Sequence, residues 1–135
     1  MQIQFFTLKE LVRSRKAVQL KIDNTPTWDV VENLSYLTYN ILDPLRRLYG
    51  KPIFVTSGYR CAQLNKAVGG VATSQHMTGQ AADIIGQVKG DNKVLFNLLK
   101  DDPRFMFDQL ICEQNYSWVH VSYSKTRARR QVIYR

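Results

Sequence analysis

No apolar run in this chain approaches the roughly 20 residues needed to cross a bilayer, so no transmembrane helix is expected. The first six residues lack a basic region leading into a long apolar stretch, so no secretory signal is predicted. On that reading the protein is made in the cytoplasm and acts outside it only if released or carried there. Cysteine is scarce: Cys61 and Cys112 form no Cys-x-x-Cys pair, which argues against a thiolate zinc site and predicts two free, mostly buried thiols. Internal repeats, low-complexity tracts and linkers are missing too, which leaves one domain over residues 1–135. A monomer is expected. Acidic residues are few, 11 against 19 Lys and Arg, for a formal net charge of +8. Such a field attracts anionic partners, either nucleic acid or an anionic cell envelope. The cations are scattered through Lys9, Arg13, Arg15, Lys16, Arg46, Arg47 and the C-terminal group. They form no stripe interleaved with aromatic residues, so nucleic acid is not the expected partner.

What is present supports a folded core, since 44% of residues are hydrophobic and 22% charged. Thr7 and Glu10 have capping-box spacing, and Phe6 and Leu11 that of a hydrophobic staple, which predicts a short helix to about Ser14. Residues 17–24 read as a loop or extended link. Val30, Leu34, Leu37, Ile41, Leu45 and Leu48 recur at steps of three and four, as on one face of a long helix over 28–49 closed by Gly50. Pro44 predicts a kink or break near Asn40. A strand over 53–56, a turn through Arg60 and a helix over 61–68 follow. Residues 81–85 read as a strand with Asp83 near its start. A helix from Asp91 stops at Pro103, strands are expected at 109–113 and 118–123 as a hairpin, and a final strand at 131–134. Residues 125–130 read as a solvated basic loop. This order of elements predicts an α+β fold, a small antiparallel sheet with helices packed on it.

The chain has only two histidines. His76 lies in Ser74-Gln75-His76-Met77-Thr78-Gly79, a small-residue loop that leads into the Asp83 strand. His120 lies in Trp118-Val119-His120-Val121-Ser122-Tyr123, where alternation puts Trp118, His120 and Ser122 on one face. Taken singly, each histidine reads as a packed or surface residue. Imidazole and carboxylate together are a pair that zinc accepts, at bond lengths of about 2.0–2.2 Å.

The combined pattern Ser74-x-His76-x-x-Gly79-x-Ala81-x-Asp83 followed by Trp118-x-His120 resembles the zinc site of the D-alanyl-D-alanine carboxypeptidase family. That family includes phage endolysins and shares a fold with the hedgehog signalling domain. Thr56-Ser57-Gly58-Tyr59-Arg60, Leu64-Asn65 and Val68-Gly69-Gly70 match as well, so the likeness runs from about Phe5 to Tyr123. It implies a hedgehog/DD-peptidase-like fold and Zn2+ held by His76, Asp83 and His120. Three ligands leave one position for a water, the mark of a catalytic rather than a structural zinc site. It also implies that Arg60 contacts the substrate, where a planar guanidinium suits a carboxylate or carbonyl. The implied substrate is the stem peptide of bacterial peptidoglycan, cut near a D-alanine by a carboxypeptidase or an endopeptidase.

Such a hydrolase needs a base. Some relatives carry an acid three residues before the last histidine, but here that position is Ser117, which cannot serve. Glu113 ends the strand expected to pair with the His120 strand and is the assigned base; Asp108, near the far end of that strand, is the second candidate. Ser74 is expected to bond within its loop or to orient a ligand, and Trp118 to wall the groove or fill core. The rival reading is a non-catalytic binding module on the same fold, against which stand intact ligands and an available base.

Overall fold

In the computed structural model, which describes residues 2–135, helices and short strands alternate before two further strands and a final one. Helix α1 (Leu8–Val12) begins at the predicted capping box, where the Thr7 hydroxyl accepts from the Glu10 amide and the Glu10 carboxylate from the Thr7 amide. Phe6 and Leu11 are both buried. Helix α2 (Arg15–Leu20) occupies part of the stretch read as a loop. Only Ala17 of its residues is buried, so it has no apolar stripe to reveal it; Ser14 starts it by accepting from the Ala17 amide.

The predicted long helix is irregular where Pro44 interrupts it, but it does not stop. Helix α3 (Trp28–Leu37) passes through a π turn (Thr38–Leu42) into α4 (Asp43–Tyr49), and the wider turn just before Pro44 accommodates a residue that has no N–H to donate. Its stripe is retained, because Val30, Leu34, Leu37, Ile41 and Leu45 are all buried. Strand β1 (Phe54–Ser57), α5 (Ala62–Ala67), a 3-10 turn (Gln75–Thr78) and β2 (Ala81–Ile85) follow. Then come α6 (Asp91–Asp101), β3 (Gln109–Glu113), β4 (Trp118–Ser122) and β5 (Gln131–Tyr134).

The sheet order is β1-β2-β4-β3-β5. The first four strands pair antiparallel, as expected, but β5 runs parallel to β3, so the sheet is mixed. Arg130 explains how the chain returns in that direction. Its guanidinium donates to the carbonyls of Leu99, Lys100, Asp102 and Phe105, capping the end of α6, and its amide donates to Phe107. The segment read as a solvated basic loop is therefore partly structural.

Strand alternation divides the sheet into two chemical faces. Val55, Ala82, Ile84, Val119, Val121, Leu110 and Cys112 enter the core with α3, α4 and α6. The opposite face carries Ser57, Asp83, His120, Ile111, Trp118 and Glu113. Both cysteines are free, Cys112 buried and Cys61 half-buried at the start of α5. Among the described residues, no helix is long and apolar enough to cross a membrane.

Candidate metal centre

The polar face of the sheet brings the three predicted ligands together through cross-strand register. Asp83 on β2 lies directly opposite His120 on β4, and His120 in turn lies opposite Ile111 on β3. His76 arrives from the 3-10 turn that precedes β2. Ser74 starts that turn by accepting from the His76 amide, and Gly79 ends it at φ +75°, a left-handed conformation that glycine adopts without strain. A side chain at Gly79 would also meet the Val30 carbonyl at 2.7 Å, so the turn sits tightly against α3.

One nitrogen or oxygen from each of His76, Asp83 and His120 falls in a group with all atoms within 4.8 Å of one another. His120 Nδ1 donates to Asp83 Oδ1 at 2.9 Å. His76 Nε2 is 3.3 Å from the same oxygen. The proton on His76 is fixed by its other nitrogen: Nδ1 is 2.7 Å from the Gly58 carbonyl, which can only accept. In the neutral ring the Nε2 lone pair therefore faces a carboxylate oxygen. Two acceptors at that distance repel unless a proton or a metal cation lies between them. The donor set, two imidazole nitrogens and one carboxylate oxygen, fits zinc better than magnesium or calcium, which take oxygen ligands. The Gly58 carbonyl fixes the His76 tautomer, as the partners of metal-binding histidines commonly do. Gly58 itself is buried so closely that an added Cβ would lie 2.1 Å from the Leu11 carbonyl oxygen.

Burial alone would raise the Asp83 carboxyl. The hydrogen bond from His120, one from His76 when its ring is protonated, and the charge of the two rings outweigh it and hold the carboxyl well below its ordinary range. Asp83 is thus a carboxylate at neutral pH, the form a metal requires.

These groups sit in a cleft of about 580 Å3 that is also lined by Arg60, Trp118 and Glu113. Trp118, left between wall and core by the sequence, is a wall. Glu113 ends β3 opposite Trp118 with its side chain 15% exposed. Arg60 follows β1, and its amide donates to the His76 carbonyl. Among the described residues its guanidinium reaches only the Ser57 and Ser74 hydroxyls, each at 3.5 Å, while its Nε is buried without a partner. Burial lowers its pKa and the nearby Asp83 carboxylate opposes that.

Asp108, the second candidate base, is committed elsewhere. It is fully buried and accepts from Arg129 Nε at 2.7 Å, Arg129 Nη2 at 3.0 Å and Gln75 Nε2 at 3.0 Å. It does not line the cleft. Its work is to tie the residue preceding His76 to the segment before β5. Burial would raise its carboxyl, and the bonds from Arg129 and Gln75 outweigh that and lower it. A folded-state pKa below the unfolded one means that the contribution is complete above about pH 4 and fades as pH falls through the folded value. Asp108→Asn should therefore cost roughly 1–3 kcal/mol at pH 7, the range for leaving buried polar partners unsatisfied. The deficit should shrink as pH is lowered from 5 towards 2. Thermal unfolding of both proteins across that range checks it, and a constant deficit would assign the effect to packing instead.

Several cleft residues escaped the sequence reading. Gln109 and Ile111 could have been found by extending the alternation back from Glu113 along β3. Arg127, Arg129 and Arg135 carried no usable local signal, because their placement depends on β5 pairing with β3.

A family model described as Peptidase M15 matches residues 4–122. No curated protein matches the chain.

Proposed function

The chain belongs to the peptidase M15 family, and on that premise we propose that it is a zinc metallopeptidase acting on the stem peptides of bacterial peptidoglycan near D-alanine. The observation that carries this reading is the buried His76 Nε2 lone pair aimed at Asp83 Oδ1, with His120 Nδ1 on the same oxygen, at the floor of an open cleft. His76, Asp83 and His120 would hold the ion. Zinc bound there would polarise the scissile carbonyl and acidify a water, with Asp83 returning one of its two charges.

The remaining steps belong to side chains of the chain. Gly58 holds the His76 ring by its Nδ1–H, so Nε2 is always presented to the site. Glu113, at the end of β3 in the same cleft, takes the proton from the attacking water at a carboxylate oxygen and returns it to the leaving amine. Arg60 offers its guanidinium to a substrate carboxylate or carbonyl. Its present hydroxyl partners are weak enough to give way. Trp118 gives the groove an apolar wall. Release of the protein from the cell, as an endolysin is released, would bring it to the wall.

The test is a metal analysis of the purified protein beside a digest of peptidoglycan fragments, with and without a chelator. Zinc at one equivalent and chelator-sensitive release of D-alanine or cleaved fragments are expected. A folded, zinc-loaded sample that cuts none of these fragments would remove the peptidoglycan assignment.

A further inference from the structure

Resting on the peptidase reading, we propose that Arg127 and Arg135 are cationic anchors at the two ends of β3 that select peptides carrying a carboxylate beside the bond to be cut. Both residues lie beyond position 122, where the family match ends. Both line the same cleft as the His76–Asp83–His120 group.

Their places follow from the pairing of β5 with β3. Gln131 lies beside Gln109 and Tyr134 beside Cys112, so the chain enters at one end of β3 and leaves at the other. At the first end Arg127 Nε is 4.0 Å from Asp108 Oδ1. That carboxylate already accepts three short bonds, from Arg129 and Gln75, so Arg127 gains no direct hydrogen bond from it. At the other end the Arg135 backbone is fixed, its amide donating to Cys112 and its carbonyl accepting from Asn115. Its Nη1 stops 3.6 Å from Glu113 Oε2, outside hydrogen-bond range. The two side chains are 59% and 60% exposed.

Among the described residues four guanidiniums thus face this cleft, and only that of Arg129 makes a hydrogen-bonded carboxylate pair. The two cleft carboxylates are otherwise engaged, Asp83 with the histidines and Glu113 as the assigned base. One substrate carboxylate would satisfy Arg60. Two more cations, separated by the length of β3, call for anionic groups further along the ligand. Five strand residues span about 13 Å, the reach of about four residues of extended peptide. Ile111, opposite His120, lies midway along that span. A ligand laid along β3 would then meet one arginine on each side of the metal group. Guanidinium binds carboxylate through paired N–H donors, whereas a carboxamide offers a single neutral oxygen.

The experiment uses the zinc-loaded chain and two pairs of synthetic stem-type peptides, one pair differing only in a carboxylate or carboxamide about two residues before the scissile bond and the other only in one about two residues after it. Hydrolysis is measured as kcat/KM. Binding of the same peptides to the chelated chain is measured by tryptophan fluorescence, since Trp118 lines the cleft. The expected preference for the carboxylate form is tenfold or more in both measurements. Arg127→Ala and Arg135→Ala should each bring the ratio of one pair, and not of the other, towards one, and Arg→Gln variants provide a second set that keeps side-chain bulk. Lys16→Ala, which removes a charge from α2, should not change it. Equal use of the two peptides in each pair by the unaltered chain, or a preference that survives both arginine replacements, overturns the proposal even if hydrolysis is rapid. A binding preference lost with the arginines supports the anchors even if no peptide is cut, and in that case it is the peptidase reading that fails.

Discussion

Asp83→Ala should lose zinc and, with it, peptide hydrolysis. Asp83 is the only carboxylate in the three-residue group, and one of its oxygens is the point on which both histidines converge. Without it two neutral imidazoles remain, with no negative charge to offset a divalent ion. A ligand present at 1,000 times its dissociation constant stabilises a folded protein by about 4 kcal/mol. Added zinc should therefore raise the unfolding temperature of the unaltered protein and leave that of the variant nearly where it was. The metal-free variant should still fold, because the core lies on the other face of the sheet. Zinc content after dialysis, thermal unfolding with and without zinc, and digestion of peptidoglycan fragments are the three readouts. A variant that holds one equivalent of zinc at full activity would end the assignment of Asp83 as a ligand.

Glu113→Gln should separate chemistry from metal binding. The amide keeps the size and polarity of the side chain but cannot accept a proton from water. General acid–base groups contribute typically 10²–10⁴-fold, so kcat should fall by about that factor while zinc content is unchanged. The substitution also removes the charge that Arg135 faces at 3.6 Å. A small change in KM is therefore compatible with the role, whereas a pure KM effect is not. The same variant distinguishes an enzyme from a binding module on this fold: a binder has no turnover to lose. Undiminished kcat in a zinc-loaded Glu113→Gln protein would leave the base unassigned, since Asp108 is buried under Arg129 and Gln75 and Ser117 has no basic group to offer.

How far the sequence reaches depends on the separation of the partners. The Thr7–Glu10 capping box, the irregular turn before Pro44 and the alternation through Trp118, His120 and Ser122 involve residues within a few positions of one another. Local stereochemistry decides them, and they are readable without a fold. Helix α2 shows the limit of that rule: it is local, yet with one buried residue it leaves no periodic trace. The candidate ligand set is legible as a motif, and the structure supplies the register that makes the motif three-dimensional, Asp83 opposite His120.

By itself the sequence determined the Thr7–Glu10 capping box and the stop at Gly50, the core stripe of α3 and α4, which strand residues share a face, and which residue types are available to a metal. Only the tertiary structure decided that β5 runs parallel to β3, that Asp108 is a buried anchor, and that Arg127 and Arg135 stand in the cleft. The physical reason is that periodicity and capping are properties of neighbouring residues. Strand order, strand direction and the pairing of a buried charge are settled by competition among contacts far apart along the chain, which no short window of residues contains.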